Sequence, residues 1–179
     1  MTPQDLPNQD HPMQERVQQA VQYFRQGYNC SQSVAMAFAD LYGIEPETMA
    51  RLAASFGGGI GRMRETCGAA SGMFLLAGLQ TTDGQADPQQ KKHNYQTVQH
   101  LAAQFKHECG SLLCKELLGL VPRQGTDTPV SPIPTDMLSP TPAARTDEYY
   151  KKRPCAATVE IAARIYAHYL LSEQSSETR

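Results

Sequence analysis

The sequence has no long apolar run, no excess of positive charge and no secretory signal, and each absence excludes a class of protein. The longest apolar run is about eight residues, whereas a membrane helix needs roughly 20, so the chain is not expected to span a membrane. The 16 Lys and Arg residues against 18 Asp and Glu leave a net charge of -2, which provides no basic surface for nucleic acid or acidic membranes. The polar N-terminus lacks a hydrophobic signal segment, which predicts a cytoplasmic protein.

Closely spaced cysteine pairs are also absent, although the chain contains five cysteines. No CxxC motif occurs, and the closest pair, Cys109 and Cys114, has four residues between its members, so a zinc-finger site is not indicated. Structural disulfides are rare in the reducing cytoplasm, where clustered cysteines more often bind metal, carry out redox chemistry or simply pack. These three uses of the cysteines remain open at this point.

Strand-like alternation of apolar and polar residues is absent too, and the apolar residues instead recur with the period of an α-helix. Capping residues and breakers divide this pattern into about six to seven helices, at 13–26, 30–42, 46–56, 67–79, 88–108, 112–118 and 154–171. A long segment with six prolines, residues 120–145, shows no periodicity, and we call it the Pro-rich loop; such loops are usually mobile and less often form lids. The sequence therefore predicts an all-α, single-domain helical bundle over 12–172, between a disordered leader (1–11) and a disordered tail (173–179).

Four of the five cysteines fall in the first turn of a predicted helix. Cys30, Cys67 and Cys155 each open a helix, and apolar residues follow them at helical spacing, so their side chains are expected to point into the bundle. Cys114 has the same position in the short helix. Unpaired N–H groups at a helix start favour a thiolate, and reactive thiols prefer such positions whereas packing does not. We therefore interpret these four residues as the candidate site, although a single cysteine on an apolar helix face is usually just a small buried residue.

Two capping residues accompany this interpretation. Thr66 is the predicted N-cap before Cys67, and Ser111 is that of the helix carrying Cys114. Cys109 differs from the four because it lies at the C-terminal end of its predicted helix, where the helix dipole disfavours a thiolate. We expect Cys109 to act at most as a nearby spare or resolving thiol.

The helix dipole alone is a weak influence on a thiol, at about 0.3–1 kcal/mol against roughly 1.4 kcal/mol per pKa unit. A deeper stabilisation of a thiolate would need a cation or a metal. The basic residues that stand near the cysteines in the sequence are Arg62 and Arg64 before Cys67, Lys115 beside Cys114, and Lys151, Lys152 and Arg153 before Cys155. For any single one of these, a solvated surface position is the expected outcome.

Two other patterns are interpreted as structural. The glycine-rich segment 56–61 resembles a phosphate-binding loop, but it lacks the GK[ST] ending and a preceding strand, so we predict a tight turn that brings Cys67 close to neighbouring backbone. His93, His100 and His107 recur every seven residues on one helix face, about 10.5 Å apart along the axis, which is too far to share a metal ion. They are predicted to face solvent.

Five motifs follow one another along the chain: GYNCSQ at 27–32, FGGG at 56–59, ETCGAASG at 65–72, GSLLC at 110–114 and the late Cys155. In these motifs, over roughly residues 13–172, the chain resembles the C_GCAxxG_C_C family of redox-active bacterial proteins. The resemblance implies that the family cysteines are Cys30, Cys67, Cys114 and Cys155, with Cys109 outside the pattern. It also implies an association with membrane transporters through gene neighbourhood.

Three functions remain open. The first is a thiol redox protein, a candidate thiol oxidoreductase, that cycles its cysteines between dithiol and disulfide or passes electrons to a redox partner protein. Cys67 is its predicted nucleophile, because the glycine turn gives this sulfur the freest approach. The second is a zinc or iron–sulfur module that binds its metal through Cys30, Cys67, Cys114 and Cys155. The third is an accessory protein of a transporter, in which the cysteines only pack.

Overall fold

The computed structural model describes residues 10–125 and 131–177, and within these ranges the chain is all-α, as predicted. It contains nine α-helices there, and the only β-type pairing in those ranges is one isolated antiparallel bridge between Thr66 and Leu113. The helices are α1 (Asp10–Arg25), α2 (Cys30–Met36), α3 (Pro46–Ala53), α4 (Gly68–Thr81), α5 (Pro88–Cys109), α6 (Cys114–Leu117), α7 (Thr135–Leu138), α8 (Asp147–Lys152) and α9 (Cys155–Glu177). Short 3₁₀ turns, Ala39–Tyr42 and Ala54–Phe56, follow α2 and α3.

The helices α1 to α6 and α9 correspond to the predicted ones, with ends that differ by several residues. The Pro-rich loop contains a short helix, α7, and α8 follows it directly. α9 continues to Glu177, through residues for which the sequence predicts a disordered tail, and the Ser175 hydroxyl supports its last turns by donating to the Leu171 carbonyl (2.9 Å). Part of the predicted leader, part of the Pro-rich loop and the chain end lie outside the described residues, at 1–9, 126–130 and 178–179.

A single apolar cluster forms the core, and α2 lies at its centre. This helix contacts α1, α3, α4 and α9, and every residue from Ser33 to Met36 is buried. α1 and α9 pack along each other and contribute the fully buried Phe24 and Tyr166. Buried apolar surface is worth about 25 cal/mol per Å², so packing rather than helix propensity stabilises a helix as short as α2.

The helix α5 is buried along one face only. Leu101 and Phe105 are inaccessible, whereas His93, His100 and His107 are exposed, as predicted. This amphipathic pattern places α5 on the outside of the bundle, where it packs against α4 and α9. No helix within the described ranges is long and apolar enough to cross a membrane.

Candidate functional site

The starts of four helices meet around one cavity. Its volume is about 280 Å³, and it is lined by Cys30, Cys67, Cys114 and Cys155, from the starts of α2, α4, α6 and α9 respectively. The structure therefore brings together the four cysteines that the sequence singles out. All four are free thiols, as is Cys109, which is half-buried at the end of α5 and does not line this cavity.

A capping box at the start of α2 positions Cys30. The Asn29 side chain accepts a hydrogen bond from the Gln32 N–H (3.0 Å), and the Gln32 side chain accepts one from the Asn29 N–H (2.9 Å). The amide groups of the same side chains donate to α3 and the turn after it, Gln32 to the Ala50 carbonyl and Asn29 to the Ala54 carbonyl. The backbone that carries the Cys30 thiol is thus fixed both within α2 and to its neighbour.

The isolated bridge holds the backbones of Cys67 and Cys114 next to each other. The Cys67 N–H donates to the Leu112 carbonyl (2.7 Å), and the Cys114 N–H donates to the Glu65 carbonyl (2.6 Å). Thr66 is part of the bridge, so it stays extended and the N-cap of α4 is Cys67 itself. The predicted N-cap at Thr66 is therefore wrong by one residue, because a pairing with a distant segment takes its place.

Ser111 is not the N-cap of α6 either, since this helix follows Leu113. The Ser111 hydroxyl instead closes the preceding turn, where it accepts from the Leu113 N–H (2.9 Å) and donates to the buried Glu116 carboxylate (2.5 Å). The other oxygen of Glu116 accepts from the Gln124 N–H (3.3 Å), which ties the first residues of the Pro-rich loop to α6. The serine thus stabilises the turn that delivers Cys114 to the cavity.

Two glycines of the Cys-Gly-Ala-x-x-Gly motif allow α2 and α4 to approach closely. A Cβ atom on Gly68 would overlap the Cys30 sulfur, and a Cβ atom on Gly72 would lie 2.6 Å from the Ser31 carbonyl oxygen. Any larger residue at either position would push the helices apart. The Cys30 sulfur consequently lies against the backbone of the residue that follows Cys67.

The glycine-rich turn before Cys67 is wound in the left-handed conformation. In this turn and the residues directly after it, three residues other than glycine have positive φ angles, namely Ile60 (60°), Arg62 (65°) and Arg64 (64°). Each such residue costs about 1–3 kcal/mol, and such strain persists only where the surrounding structure enforces it. A Cβ atom on Gly59 would lie 2.6 Å from the Cys114 Cβ, so the turn packs closely on Cys114, a contact that the sequence did not indicate.

Arginines share the cavity with the cysteines, and the four that line it are Arg62, Arg64, Arg145 and Arg153. Within the described part of the chain no Asp or Glu lines it, so its formal charge is positive. The expected solvated position is therefore wrong for Arg62, Arg64 and Arg153, because the left-handed turn and the α8–α9 junction place them at the cavity. Of the other candidates, Lys115 pairs with Glu65 (3.1 Å), and Lys151 and Lys152 are exposed.

Arg64 is the most deeply buried of these cations, with only 2% of its surface exposed. Its Nε donates to the Met137 carbonyl (2.9 Å), but its Nη2 has no hydrogen-bonding partner within the described residues. The guanidinium lies close enough to the Cys114 thiol to lower the pKa of that thiol, although burial raises the pKa by more. Arg64 is therefore a buried cation beside a thiol with part of its donor capacity unused.

The Pro-rich loop covers the cavity. Pro140, Pro142 and Ala143 are among the lining residues. Beneath them, the Arg62 Nε donates to the Ser139 carbonyl (2.6 Å), parallel to the bond that Arg64 makes to the same loop. The loop thus forms part of the cavity wall, and its action as a lid over the thiols stays a prediction.

Arg145 fastens the end of the same loop to the start of the chain. Its guanidinium donates to the carbonyls of Phe24 (3.5 Å) and Tyr28 (3.2 Å) and lies over the rings of Phe24 (4.2 Å) and Tyr149 (4.9 Å). Sequence reasoning missed these residues because the hydrogen bonds join positions 121 and 117 apart. The signal in the sequence that could have indicated this attachment is the position of Arg145 as the last residue of the Pro-rich loop.

Burial rather than the helix start controls the protonation of the thiols. Burial raises the pKa of Cys155 to about 12 and that of Cys109 to about 11, and it is also the largest reason why the pKa values of Cys67 and Cys114 are raised. After burial, the charge of Cys30 is the next cause that raises the pKa at Cys67, Cys114 and Cys155 alike. Cys30 is thus the common electrostatic neighbour of the other three cavity cysteines.

Cys67 does not have the open approach that the sequence predicts for it. Only 6% of its surface is exposed, and burial sets its pKa well above the ordinary value even though the N–H groups of Ala70 and Ala69 lower it. Its thiol makes no capping hydrogen bond of regular geometry. The buried Cys67 lines the cavity, whereas Cys30 and Cys155 are more accessible.

A metal centre would require several ligands to converge on one point, with Zn–S distances of about 2.3 Å. Within residues 10–125 and 131–177, no group of three or more His, Cys, Asp and Glu side chains is placed so that it could hold a metal ion. The four cysteines thus share a cavity without forming a ligand set.

Comparison with known proteins gives one match. The model of a family described as "Putative redox-active protein (C_GCAxxG_C_C)" matches residues 28–169, which include all four cavity cysteines. No curated protein and no solved structure matches the chain.

Proposed function

The chain belongs to the C_GCAxxG_C_C family, and from that membership and the geometry of the cavity we propose that the protein is a thiol oxidoreductase that cycles cysteines between dithiol and disulfide. The observation that carries the proposal is the convergence of Cys30, Cys67, Cys114 and Cys155 on one cavity from four separate helices. Cysteines that only pack need not meet at a common space. A thiol redox centre requires it, because one sulfur must attack another.

We assign Cys30 and Cys67 to the first redox pair. The Cys30 sulfur lies on Gly68, the next residue after Cys67, and Cys30 is the neighbouring side chain that raises the pKa of the Cys67 thiol most, after burial. Cys30 is also the more exposed of the two. This favours Cys30, rather than the predicted Cys67, as the sulfur that meets an external substrate.

The oxidant in this proposal is a disulfide, R–S–S–R′, carried by a redox partner protein or a small molecule. The Cys30 thiol loses its proton and attacks one sulfur, which forms Cys30–S–S–R and releases R′–S⁻. The Cys67 thiol then loses its proton and attacks the Cys30 sulfur, releasing R–S⁻. The two protons pass to the leaving thiolates, so two protein thiols are oxidised by two electrons while one external disulfide becomes two thiols.

Cys114 and Cys155 form the second pair in this proposal. They line the same cavity, and each is electrostatically close to Cys30. Exchange would convert their two thiols into a disulfide and return Cys30 and Cys67 to the reduced state, without net gain or loss of electrons. Cys109 has no step in this cycle.

The proposal also includes a cytoplasmic location, predicted from the lack of a signal segment, and an association with a membrane transporter, which the family resemblance implies. Neither changes the chemistry at Cys30 and Cys67.

Peptide mapping of the purified protein after treatment with oxidised glutathione tests the proposal. We expect a Cys30–Cys67 disulfide that dithiothreitol reverses, and a mixed disulfide retained on Cys30 in the Cys67→Ser variant. Cys109→Ser is the matched control and should leave the Cys30–Cys67 bond unchanged. Thiols that stay unreactive until denaturation would overturn the redox proposal, and stoichiometric zinc or iron bound by these cysteines would replace it with the metal-binding alternative.

A further inference from the structure

The cavity gathers positive charge without a counter-charge. Arg62, Arg64 and Arg153 contribute guanidinium groups, and none of them forms an ion pair with a carboxylate in the described residues. The three are close enough to repel one another: after burial, the charges of Arg64 and Arg153 lower the pKa of Arg62. Buried cations normally have a partner, because an unpaired buried charge is costly. A negatively charged group bound in the cavity would stabilise these three guanidinium groups.

Some hydrogen-bond donors of the arginines that line this cavity are unused within the described residues. Arg64 is 2% exposed and its Nη2 is unbonded, although its Nε is held by the Met137 carbonyl. Within the described residues, the one side-chain hydrogen bond of Arg62 is from its Nε to the Ser139 carbonyl. The guanidinium of Arg153 stacks on Tyr149 at 4.9 Å and makes no side-chain hydrogen bond within the described residues. Guanidinium groups oriented in this way match the oxygens of a carboxylate or another oxyanion.

Much of the rest of the cavity wall is apolar and could contact the uncharged part of a small organic molecule. Phe24, Pro140 and Pro142 contribute apolar surface, and the volume of about 280 Å³ is close to the lower end of small-molecule sites, roughly 300–1,000 Å³. A bare inorganic oxyanion would leave much of this space unfilled. The apolar lining therefore favours a ligand with both a charged head and an uncharged part.

We propose that the cavity binds a small organic anion, whose oxyanion head accepts hydrogen bonds from the guanidinium groups of Arg62, Arg64 and Arg153. Its apolar part lies under the Pro-rich loop, against Pro140 and Pro142. The binding step needs no thiol chemistry and so goes beyond the proposed redox function. If that function also holds, the anion lies beside Cys114 and is the substrate or a part of it, which rests on the redox proposal.

Isothermal titration calorimetry with non-reactive probes tests the site. The organic anions are benzoate, succinate and S-methylglutathione, benzamide is the uncharged counterpart of benzoate, and sulfate represents an inorganic oxyanion. We expect at least one organic anion to bind saturably and at least tenfold more tightly than benzamide and sulfate. Absence of saturable binding by all three organic anions, or saturable binding of sulfate alone, would overturn the proposal.

Variants locate the bound head group. Arg64→Gln should weaken binding of the best probe at least tenfold, whereas Lys115→Gln, which removes a nearby cation already paired with Glu65, should leave it unchanged. If Arg64→Gln fails to fold by circular dichroism, the more exposed Arg62→Gln and Arg153→Gln provide the same test with a loss of several-fold each. Equal losses in Lys115→Gln would indicate general charge attraction and contradict the site.

The two proposals fail separately. A Cys30→Ser, Cys67→Ser double variant should keep the affinity for the organic anion, because neither thiol is a proposed ligand. Conversely, Arg64→Gln should still form the Cys30–Cys67 disulfide with diamide, an uncharged oxidant. Loss of anion binding in the cysteine variant would contradict the arginine site without bearing on the redox chemistry.

Discussion

At the scale of single residues, the balance between burial and nearby charge determines what each thiol can do. The thiolate, not the thiol, is the nucleophile, and a cysteine with an ordinary pKa near 8.5 is only a few per cent thiolate at neutral pH. Burial moves Cys67, Cys114 and Cys155 further in the unreactive direction, while Arg64 and Arg153 oppose it at Cys114. In the unliganded cavity these thiols therefore stay protonated and react slowly with oxidants. We expect a bound substrate or a nearby positive charge to be needed to form the thiolate.

The pH dependence of alkylation tests this balance at Cys155. Because burial raises its pKa to about 12, the thiolate fraction lies far below saturation and rises about tenfold per pH unit. The rate of Cys155 carbamidomethylation by iodoacetamide, followed by mass spectrometry, should therefore increase about tenfold per unit from pH 7 to pH 9 without levelling off. In urea-unfolded protein the same rate should reach half of its maximum near pH 8.5 and level off above it. A plateau below pH 9 in the folded protein would contradict the raised pKa.

At the scale of secondary-structure elements, the crossing of α2 over α4 places the first redox pair. Gly68 and Gly72 lie on the face of α4 that α2 approaches, and the capping box at Asn29 fixes the end of α2 that carries Cys30. The spacing of these glycines by four residues puts both on one side of the helix. The Cys-Gly-Ala-x-x-Gly motif therefore serves the packing of α2 against α4 as well as the position of Cys67.

Replacing Gly72 with alanine tests the crossing. The new Cβ would lie 2.6 Å from the Ser31 carbonyl oxygen, so α2 must shift, and we expect a loss of about 1–3 kcal/mol in the free energy of unfolding measured with urea. Gly78→Ala is the matched control on the same helix, because no atom lies within 4 Å of its new Cβ. This control should raise stability by up to about 1 kcal/mol, as alanine favours a helix over glycine. Similar losses in both variants would contradict a special role for Gly72.

At the scale of the whole molecule, the Pro-rich loop lies against the four helix starts and completes the wall of the cavity. It is held from below by Arg62 and Arg64 and at its end by Arg145, which reaches α1 and the residues after it. These contacts use backbone carbonyls and aromatic rings rather than ion pairs. None of the described residues of the loop belongs to the apolar core, so we expect that detaching the loop would leave this core intact.

Arg145→Ala tests whether this attachment controls access to the thiols. The variant loses two hydrogen bonds at about 0.5–1.5 kcal/mol each and cation–π contacts of at least about 0.5 kcal/mol, and each 1.4 kcal/mol changes an opening equilibrium about tenfold. Labelling of Cys67 and Cys114 by a bulky maleimide should accelerate about tenfold or more. Arg164→Ala, which removes a surface ion pair with Glu108, should leave the rate unchanged. Equal rates in Arg145→Ala and the unmodified protein would show that the loop is not the barrier.

Local patterns in the sequence were sufficient for much of the architecture. Helical spacing identified α1 to α6 and α9, and the capping residues and breakers around them place Cys30, Cys114 and Cys155 in the first turn of a helix. Some errors are local, such as the cap at Ser111 and the end of α9, whereas others arise where distant segments meet. Thr66 loses its capping role to a bridge with Leu113, which lies far along the chain and has no local signal.

The sequence by itself thus determined the helices and the four cysteines that open or cap them, because periodicity and capping act between residues a few positions apart. Only the tertiary structure decided that these thiols share a cavity, that Arg64 is buried beside Cys114, and that the Pro-rich loop lies above both. Burial and electrostatic environment arise from contacts across the whole chain, such as that between Arg64 and Met137. For the same reason the thiols resist ionisation although their positions at helix starts favour it, since loss of solvation outweighs the dipole of a helix.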